Sequence, residues 1–503
     1  MKQVVFVICF VLSPFLLFAQ PGFSKVFQNV SSHANDFNDL VIDNDTIVLF
    51  QAAFDTTANQ WGLNFVKLDT FGNIVFANFL SDSTTNYTVS QGGNDMIKTQ
   101  DGGYAYAASY GVQEPGLLKV FLAKYNHAGE KEFVRYYAPP VANTDFFACR
   151  TLHELSSGGY FLMTFYSLET TNYFSLSLLR VDTNGDELWR KNFVAVDTSR
   201  LMTSILELDS NSFLLSGGKY RFLPSGENYT FPNLIIVDSL GNTVQEWIGE
   251  KNTAMLNFTR TDDGGFIYTG GKVFIQGTSS KTILLIGKVD SNFSEDWIHY
   301  VNQPAATTSH YTSILETPDG HYVASGEGGY PYSERPGIHT KITDSGEVLW
   351  ERLDRAESNG VQGSRNLIRS TGVLSSGSII SCGSTWITEP YGYSEKGWLI
   401  KISPGGCVYD TIACWPVASQ EPFAQAKEQL LVYPNPSSDY VTFQGIGKGE
   451  VVITNLLGQE VKRLRMNGLY PAEWSVGDVA RGLYVYRLVD FGVVLDVGKI
   501  VVE

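Results

Sequence analysis

Few side chains in this chain are spaced for chemistry. His299, His310, His321 and His339 fall within 41 residues, and imidazoles brought together by folding can bind a metal. A lone His in a β-rich turn is ordinarily a surface residue, however, so no metal site is expected. The run Asp182-Thr183-Asn184-Gly185-Asp186-Glu187 carries calcium-type oxygen ligands without the EF-hand order. Its sister turns lack the extra acids, so it reads as an ordinary turn. No HExxH, P-loop, GxSxG or SxxK is present. Arg135, Arg150 and Arg260 have no spacing that selects a cluster of three. Cys149 and Cys382 sit in apolar strand patterns and read as buried free thiols. Cys407 and Cys414 are seven apart and could close a local loop.

Two segments are unusually rich in Tyr and Gly: Gly326 to Ser333 and Glu389 to Glu395. Aromatic loops on a rigid frame suit binding of glycans or proteins. Tyr330, Tyr332, Tyr391 and Tyr393 are therefore expected to form one ligand-binding patch. Lys219-Tyr220-Arg221-Phe222 falls in the same loop of an earlier repeat.

The elements that position these residues repeat along the chain. A turn followed by an apolar residue and a short strand recurs as Gln100-Asp101-Gly102-Gly103-Tyr104, Ser156-Ser157-Gly158-Gly159-Tyr160, Asp262-Asp263-Gly264-Gly265-Phe266 and Pro318-Asp319-Gly320-His321-Tyr322. Weaker copies centre on Asn44, Ser210 and Ser376. The anchors 44, 101, 157, 210, 263, 319 and 376 are separated by 57, 56, 53, 53, 56 and 57 residues. So steady a period marks a repeat architecture. About 25 residues after each anchor comes a second turn and a strand with an aromatic, as in Gly185…Trp189 and Gly346…Trp350. Gly72…Phe76, Gly129…Phe133 and Gly405…Tyr409 keep this spacing. Phe293…Trp297 keeps it without the glycine, and Gly241…Trp247 departs by two residues, as a longer turn would.

Each copy thus holds two hairpins and four short strands. One such sheet cannot bury both faces, and radial packing of sheets solves this in a β-propeller. The expected fold is all-β: a seven-bladed β-propeller over residues 23–414, then a small immunoglobulin-like β-sandwich. A linear β-solenoid is the competing arrangement. Phe23-Ser24-Lys25-Val26-Phe27 looks like a fourth strand, available to complete a blade with strands from the chain's other end.

The composition, 43% hydrophobic and 17% charged, is that of a globular chain, and 13% aromatics with 48 glycines favour strands and tight turns. A net charge of −16 repels phosphate backbones, so nucleic acid is not an expected partner. Residues 1–19 read as a secretory signal peptide: Lys2, then an apolar run from Val4 to Phe18, then Ala19. Residues 415–429, with Pro416 and Pro422, read as a linker.

The Gly-to-Trp spacing of Asp182…Gly185…Trp189 and Asp344…Gly346…Trp350 resembles that of tryptophan-docking propellers, where the Trp packs between blades. It is also similar to the Asp-box of sialidase propellers. Both motifs are structural, so these Trp residues are expected in the core. The quinone enzymes of the docking family imply adjacent cysteines by the cofactor, and a sialidase implies three clustered arginines with a Tyr/Glu pair. The chain lacks the adjacent cysteines, and no cofactor is expected. Residues 430–503 resemble the type A sorting domain of type IX secretion. Pro434, Asn435 and Pro436, then Gly458 and Gln459, Gly482 and Tyr484, and Lys499 arrive in that family's order. The resemblance implies recognition by the type IX machinery and its sortase, passage across the outer membrane and removal of this domain. It also implies a product that is secreted or anchored at the outer surface, often through surface lipopolysaccharide. The expected function is a glycan- or protein-binding scaffold. The alternative is an extracellular polysaccharide hydrolase or lyase with its site at the propeller axis.

Overall fold

Apolar runs separated by short polar turns satisfy their backbones most directly by pairing with their neighbours. The computed structural model describes residues 22–27, 37–55, 59–80, 85–86, 96–112, 118–168, 173–222, 228–249, 251–276, 279–301, 309–329, 335–358, 361–389, 392–408, 430–444, 448–455, 459–467, 471–477, 479–490 and 493–503. The expected signal peptide, 1–19, and the expected linker, 415–429, lie outside these. Among the described residues every regular element is a β-strand, and no helix is long and apolar enough to cross a membrane.

The repeats fold as consecutive antiparallel sheets. Sheet 1 holds Phe37–Asp43, Thr46–Asp55, Gln60–Leu68 and Ile74–Leu80. Sheet 2 starts with two short strands, Thr85–Asn86 and Met96–Lys98, which both pair with Tyr104–Val112; Leu118–Tyr125 and Lys131–Tyr137 follow. Sheet 3 is Thr144–Glu154, Tyr160–Leu168, Ser175–Val181 and Glu187–Phe193. Sheet 4 is Ser199–Asp209, Ser212–Phe222, Asn228–Asp238 and Thr243–Ile248. Sheet 5 is Thr253–Arg260, Phe266–Gln276, Ser279–Val289 and Glu295–Tyr300. Sheet 6 is His310–Glu316, Tyr322–Glu327, Gly337–Ile342 and Val348–Asp354. Sheet 7 is Arg365–Val373, Ile379–Glu389 and Gly392–Ile402, and its fourth strand is Phe23–Phe27 from the other end of the chain.

That last strand pairs Phe23 with Lys401 and Phe27 with Gly397, as the N-terminal segment's composition led us to expect. The first strand of each sheet packs on the first strand of the next, and that of sheet 1 on that of sheet 7. The sheets therefore close into a ring, a β-propeller, and the open solenoid is excluded. Neighbouring first strands are joined by side chains: Asn257 Nδ2 donates to Thr312 O at 3.1 Å, and Thr312 Oγ1 to Ile368 O at 2.9 Å.

The outer strands are held by a docking pair. An aromatic opposite the penultimate residue of the third strand presses on the turn glycine of the next sheet. Phe23 meets Gly72, Phe76 meets Gly129, Phe133 meets Gly185, Trp189 meets Gly241, Trp297 meets Gly346 and Trp350 meets Gly406. A Cβ at Gly346 would lie 2.9 Å from Trp297, and φ there is +87°, so only glycine fits. Two expectations need correction. Sheet 7 takes its docking aromatic, Phe23, from the N-terminal strand, and its turn glycine is Gly406, which meets Trp350, so Gly405…Tyr409 is not a copy; a Cβ at Gly405 would meet nothing, and Tyr409 lies outside the described residues. The Gly241…Trp247 turn is not longer either. Asp238 N donates to Asn242 O and Gly241 N to Asp238 O, as Asp182 N to Asp186 O and Gly185 N to Asp182 O do in sheet 3. The aromatic has instead moved two residues along its strand.

The C-terminal residues form two more sheets. One pairs Leu431–Tyr433 with Tyr440–Gln444 and that with Ala472–Ser475. The other orders Glu460–Asn467, Lys448–Asn455, Gly482–Asp490 and Val493–Val502. Val441, Phe443, Val451, Trp474, Tyr484 and Ile500 share one buried core.

Candidate functional site

Antiparallel pairing puts the hairpins between strands 1–2 and 3–4 on one end of the ring, and the other connections on the opposite end. The hairpin end spends its polar groups on itself. Asp263 accepts from Thr261 Oγ1 at 2.5 Å, Gly265 N at 3.1 Å and Lys288 Nζ at 2.6 Å. The Lys288 hydrogen bond, with those of Thr261 and Gly265, holds the Asp263 carboxyl at about 2. The same Thr-Asp-Lys set recurs at Asp101–Lys124, 2.8 Å, and Asp319–Lys341, 2.6 Å. In the calcium-like turn, Asp182 Oδ1 accepts from Asn184 N and Asp186 N at 2.8 and 2.9 Å, so it is a turn cap.

The loop end is where the tyrosine patch was expected. Tyr330, Tyr332 and Tyr391 lie outside the described residues. Tyr393 lies in a strand, opposite Thr388, and not in a loop; its side chain is outside the described set. Tyr220 is also in a strand, opposite Ser199 and Thr230, and not in a loop.

Flanking these positions is a cluster that sequence reasoning missed. Glu327 ends the second strand of sheet 6 and is 1% exposed. Its Oε1 accepts from Arg335 Nη1 at 3.2 Å and Arg365 Nε at 3.1 Å, and its Oε2 from Arg365 Nη2 at 3.3 Å. The two arginine side chains remain 34% and 32% exposed, and the Arg365 guanidinium lies 5.5 Å from the ring of Trp386, itself 37% exposed. One buried carboxylate thus holds two guanidinium groups, and one of them, Arg365, lies beside a partly exposed indole. Glu327, Arg335 and Arg365 together carry a net positive charge and, among the described residues, keep donors without a partner, which suits a carboxylate or sulfate carried on a ring that stacks. Its members lie 38 and 59 residues apart in sequence, so spacing gave no signal; Arg335-Pro336 next to the Tyr-rich run was the available hint.

A second missed constellation is Ser381, His339 and Asp354. His339 Nδ1 lies 3.0 Å from Asp354 Oδ2 and Nε2 lies 2.9 Å from Ser381 Oγ. This corrects the expectation of a surface histidine. His339 is fully buried and Ser381 nearly so, so no substrate reaches the hydroxyl. Arg352 also binds Asp354, at 2.6 Å. Burial alone would raise the Asp354 carboxyl, but His339 and Arg352 outweigh it and hold it below the usual range. The triad-like set is a polar clamp between sheets 6 and 7. Among the described residues no three His, Cys, Asp or Glu side chains group as metal ligands. Cys149 and Cys382 are buried free thiols as expected, and Cys407 is disulfide-bonded.

The axial cavity, about 190 Å³, is lined by first strands of sheets 2 to 6. Thr151, Ser204, Asn257, Thr259 and Ser313 provide its polar groups, beside Met96, Leu152 and Ile314; no ionisable side chain lines it among the described residues.

In the C-terminal unit, Asn435 clasps the last strand. Its Nδ2 donates to Lys499 O at 2.7 Å and its Oδ1 accepts from Val501 N at 2.8 Å. Pro434, Asn435, Pro436, Gly482 and Lys499 are exposed, and Tyr484 is buried. Gln459 N donates to Asn455 Oδ1 at 3.0 Å, and Gly458 lies outside the described residues. Pro434 to Pro436 and Lys499, distant in sequence, thus present one exposed surface.

Residues 431–503 match the secretion system C-terminal sorting domain family. They are a type IX sorting domain, and the protein is secreted or anchored at the outer cell surface. No curated protein matches the chain. Among solved structures, a protein of unknown function from Bacteroides caccae is 12% identical, covering 64% of this chain and 94% of its own, with a TM-score of 0.34. The β-propeller domain of the trilobed protease from Pyrococcus furiosus is 10% identical, covering 80% and 100%, with a TM-score of 0.39. An exo-β-1,3-galactanase from Clostridium thermocellum is 13% identical, covering 75% and 100%, with a TM-score of 0.31. The propeller assignment here rests on strand pairing and ring closure.

Proposed function

We propose that this chain is a seven-bladed propeller over residues 23–414, carried to the cell exterior by its signal peptide and by an immunoglobulin-like sandwich at 430–503. The sandwich is then removed by the sortase of the type IX machinery, and the mature ring is released or attached to surface lipopolysaccharide. The ring is a binding scaffold, and its ligand is a glycan that carries acidic groups. The observation that carries this reading is the pair Arg335 and Arg365 held by buried Glu327, with Arg365 beside the partly exposed ring of Trp386. Tyr330, Tyr332, Tyr391 and Tyr393 sit next to it in sequence and would extend the stacking surface. A hydrolase or lyase at the axis is disfavoured by the hydroxyl, amide and apolar lining of that cavity, which offers no acid or base among the described residues.

Titration of the purified ring with oligogalacturonates and with neutral cello-oligosaccharides tests the reading. Saturable, salt-sensitive binding of the acidic series alone is expected. Shortening of either series during the titration would instead favour the hydrolase or lyase.

A further inference from the structure

One junction of the ring breaks the docking rule on both sides. Six times an aromatic opposite the penultimate residue of strand 3 meets a turn glycine of the next sheet. Between sheets 4 and 5, Gln245 holds the aromatic's position, opposite Ile236 at the register shift as Trp189 is opposite Arg180, and Phe293 holds the glycine's, with φ at +63°. Phe293 turns into its own sheet and stacks on Phe266, with centroids 5.0 Å apart and planes 4° from parallel. Trp247 lies two residues beyond Gln245, hence on the same strand face, and is left 48% exposed. Trp297 and Trp350 donate their indole N–H to Asp344 O and Pro404 O of the next sheet. Trp247 has no such partner among the described residues.

The double replacement opens a cleft of about 400 Å³. Trp247 and Phe293 form its walls, Phe258 and Tyr268 its floor, and Gln245 and Glu295 reach its rim. The size is that of a site for a small molecule of one or two rings. Among the described residues Glu295 is the only carboxylate on the lining, and no basic side chain lies there. We propose that this cleft is a second binding site, distinct from the arginine cluster, and that it takes a flat aromatic amine. The ring enters between Trp247 and the floor, and the ammonium group bonds Glu295 and the Gln245 carbonyl. An aromatic acid meets the Glu295 charge without a counter-ion and is rejected.

Calorimetric titration of the full chain with phenethylamine, 2-phenylethanol and phenylacetate tests this. Phenethylamine is expected to bind about tenfold tighter than the alcohol, the worth of one charge-assisted bond, and phenylacetate weakest. Gln245→Trp with Phe293→Gly restores the docking pair found elsewhere and should abolish binding. Glu295→Gln, at an exposed position, should leave binding but remove the preference for the amine. No saturable binding, equal binding of amine and acid, or undiminished binding by the folded double variant would overturn the proposal. If the double variant does not fold, loss or retention of selectivity in Glu295→Gln decides alone.

Discussion

Asp45 and Ser375 are 330 residues apart, yet Asp45 Oδ1 accepts from Ser375 N at 2.7 Å. The contact has sequence-near counterparts. Glu154 caps Gln100 N at 2.7 Å, Glu207 caps Ser156 N at 2.9 Å and Glu316 caps Asp262 N at 2.8 Å. A carboxylate near the end of one first strand caps the turn of the sheet before it, so the Asp45–Ser375 bond marks sheet 7 as the one before sheet 1. Hydrogen bonds from Ser375 hold the Asp45 carboxyl below its ordinary range.

Ring closure by Phe23–Phe27 makes a stability prediction. Phe23→Ala removes a ring that docks on Gly72 and should cost about 2 kcal/mol, below a fully buried Phe because this one is only partly buried. Denaturant unfolding of the whole chain checks it. A loss no larger than that of an exposed substitution would mean the strand does not close the ring.

The docking glycines can be separated from ordinary turn glycines. Gly102→Ala, at φ +83° with open space around it, should cost about 1 kcal/mol for the backbone alone. Gly346→Ala, at φ +87°, should cost about 1–3 kcal/mol more, because its Cβ also meets Trp297 at 2.9 Å. Equal losses by thermal unfolding would show that the indole does not press on the turn.

This docking pattern shows what the sequence revealed and what it hid. The seven turns and their period were legible because Asp and Gly are demanded by local backbone geometry. Phe23's role as a fourth strand was legible because its run repeats the pattern of Trp189 and its neighbours. The shift from Gln245 to Trp247 was misread as a longer turn, because spacing alone cannot tell an added residue from a moved aromatic. Hydrogen bonding within the turn can. The Glu327 cluster and the buried His339–Asp354–Ser381 set were invisible, since their members come from different strands and meet only through tertiary packing.

Acid should weaken the ring by a nameable route. Asp263, held at about 2 by Lys288, Thr261 and Gly265, ionises below its unfolded value of 3.8. Its contribution is therefore full above about pH 4 and is lost as pH falls toward 2. Asp263→Asn should flatten the stability profile across that window while costing stability at pH 7. An unchanged acid limb in that variant would contradict the assignment.

The buried Ser-His-Asp set is assigned a structural role. Ser381→Ala should lower stability by about 1–3 kcal/mol by leaving His339 Nε2 unpaired. Glycan binding at 25 °C should not change. A fluorophosphonate that labels Ser381 in the native chain would contradict the role, because a hydroxyl with this burial is out of reach.

The most direct measurement of the central claim is a glycan array probed with the mature ring and with its Trp386→Ala variant. Trp386 is 37% exposed and its ring lies against Arg365, so the change spares the fold and removes the platform. We expect the ring to bind uronate- or sulfate-bearing glycans and the variant to bind them about tenfold more weakly, one stacking contact's worth. Binding confined to neutral glycans, or acidic-glycan binding unchanged in the variant, would contradict the claim.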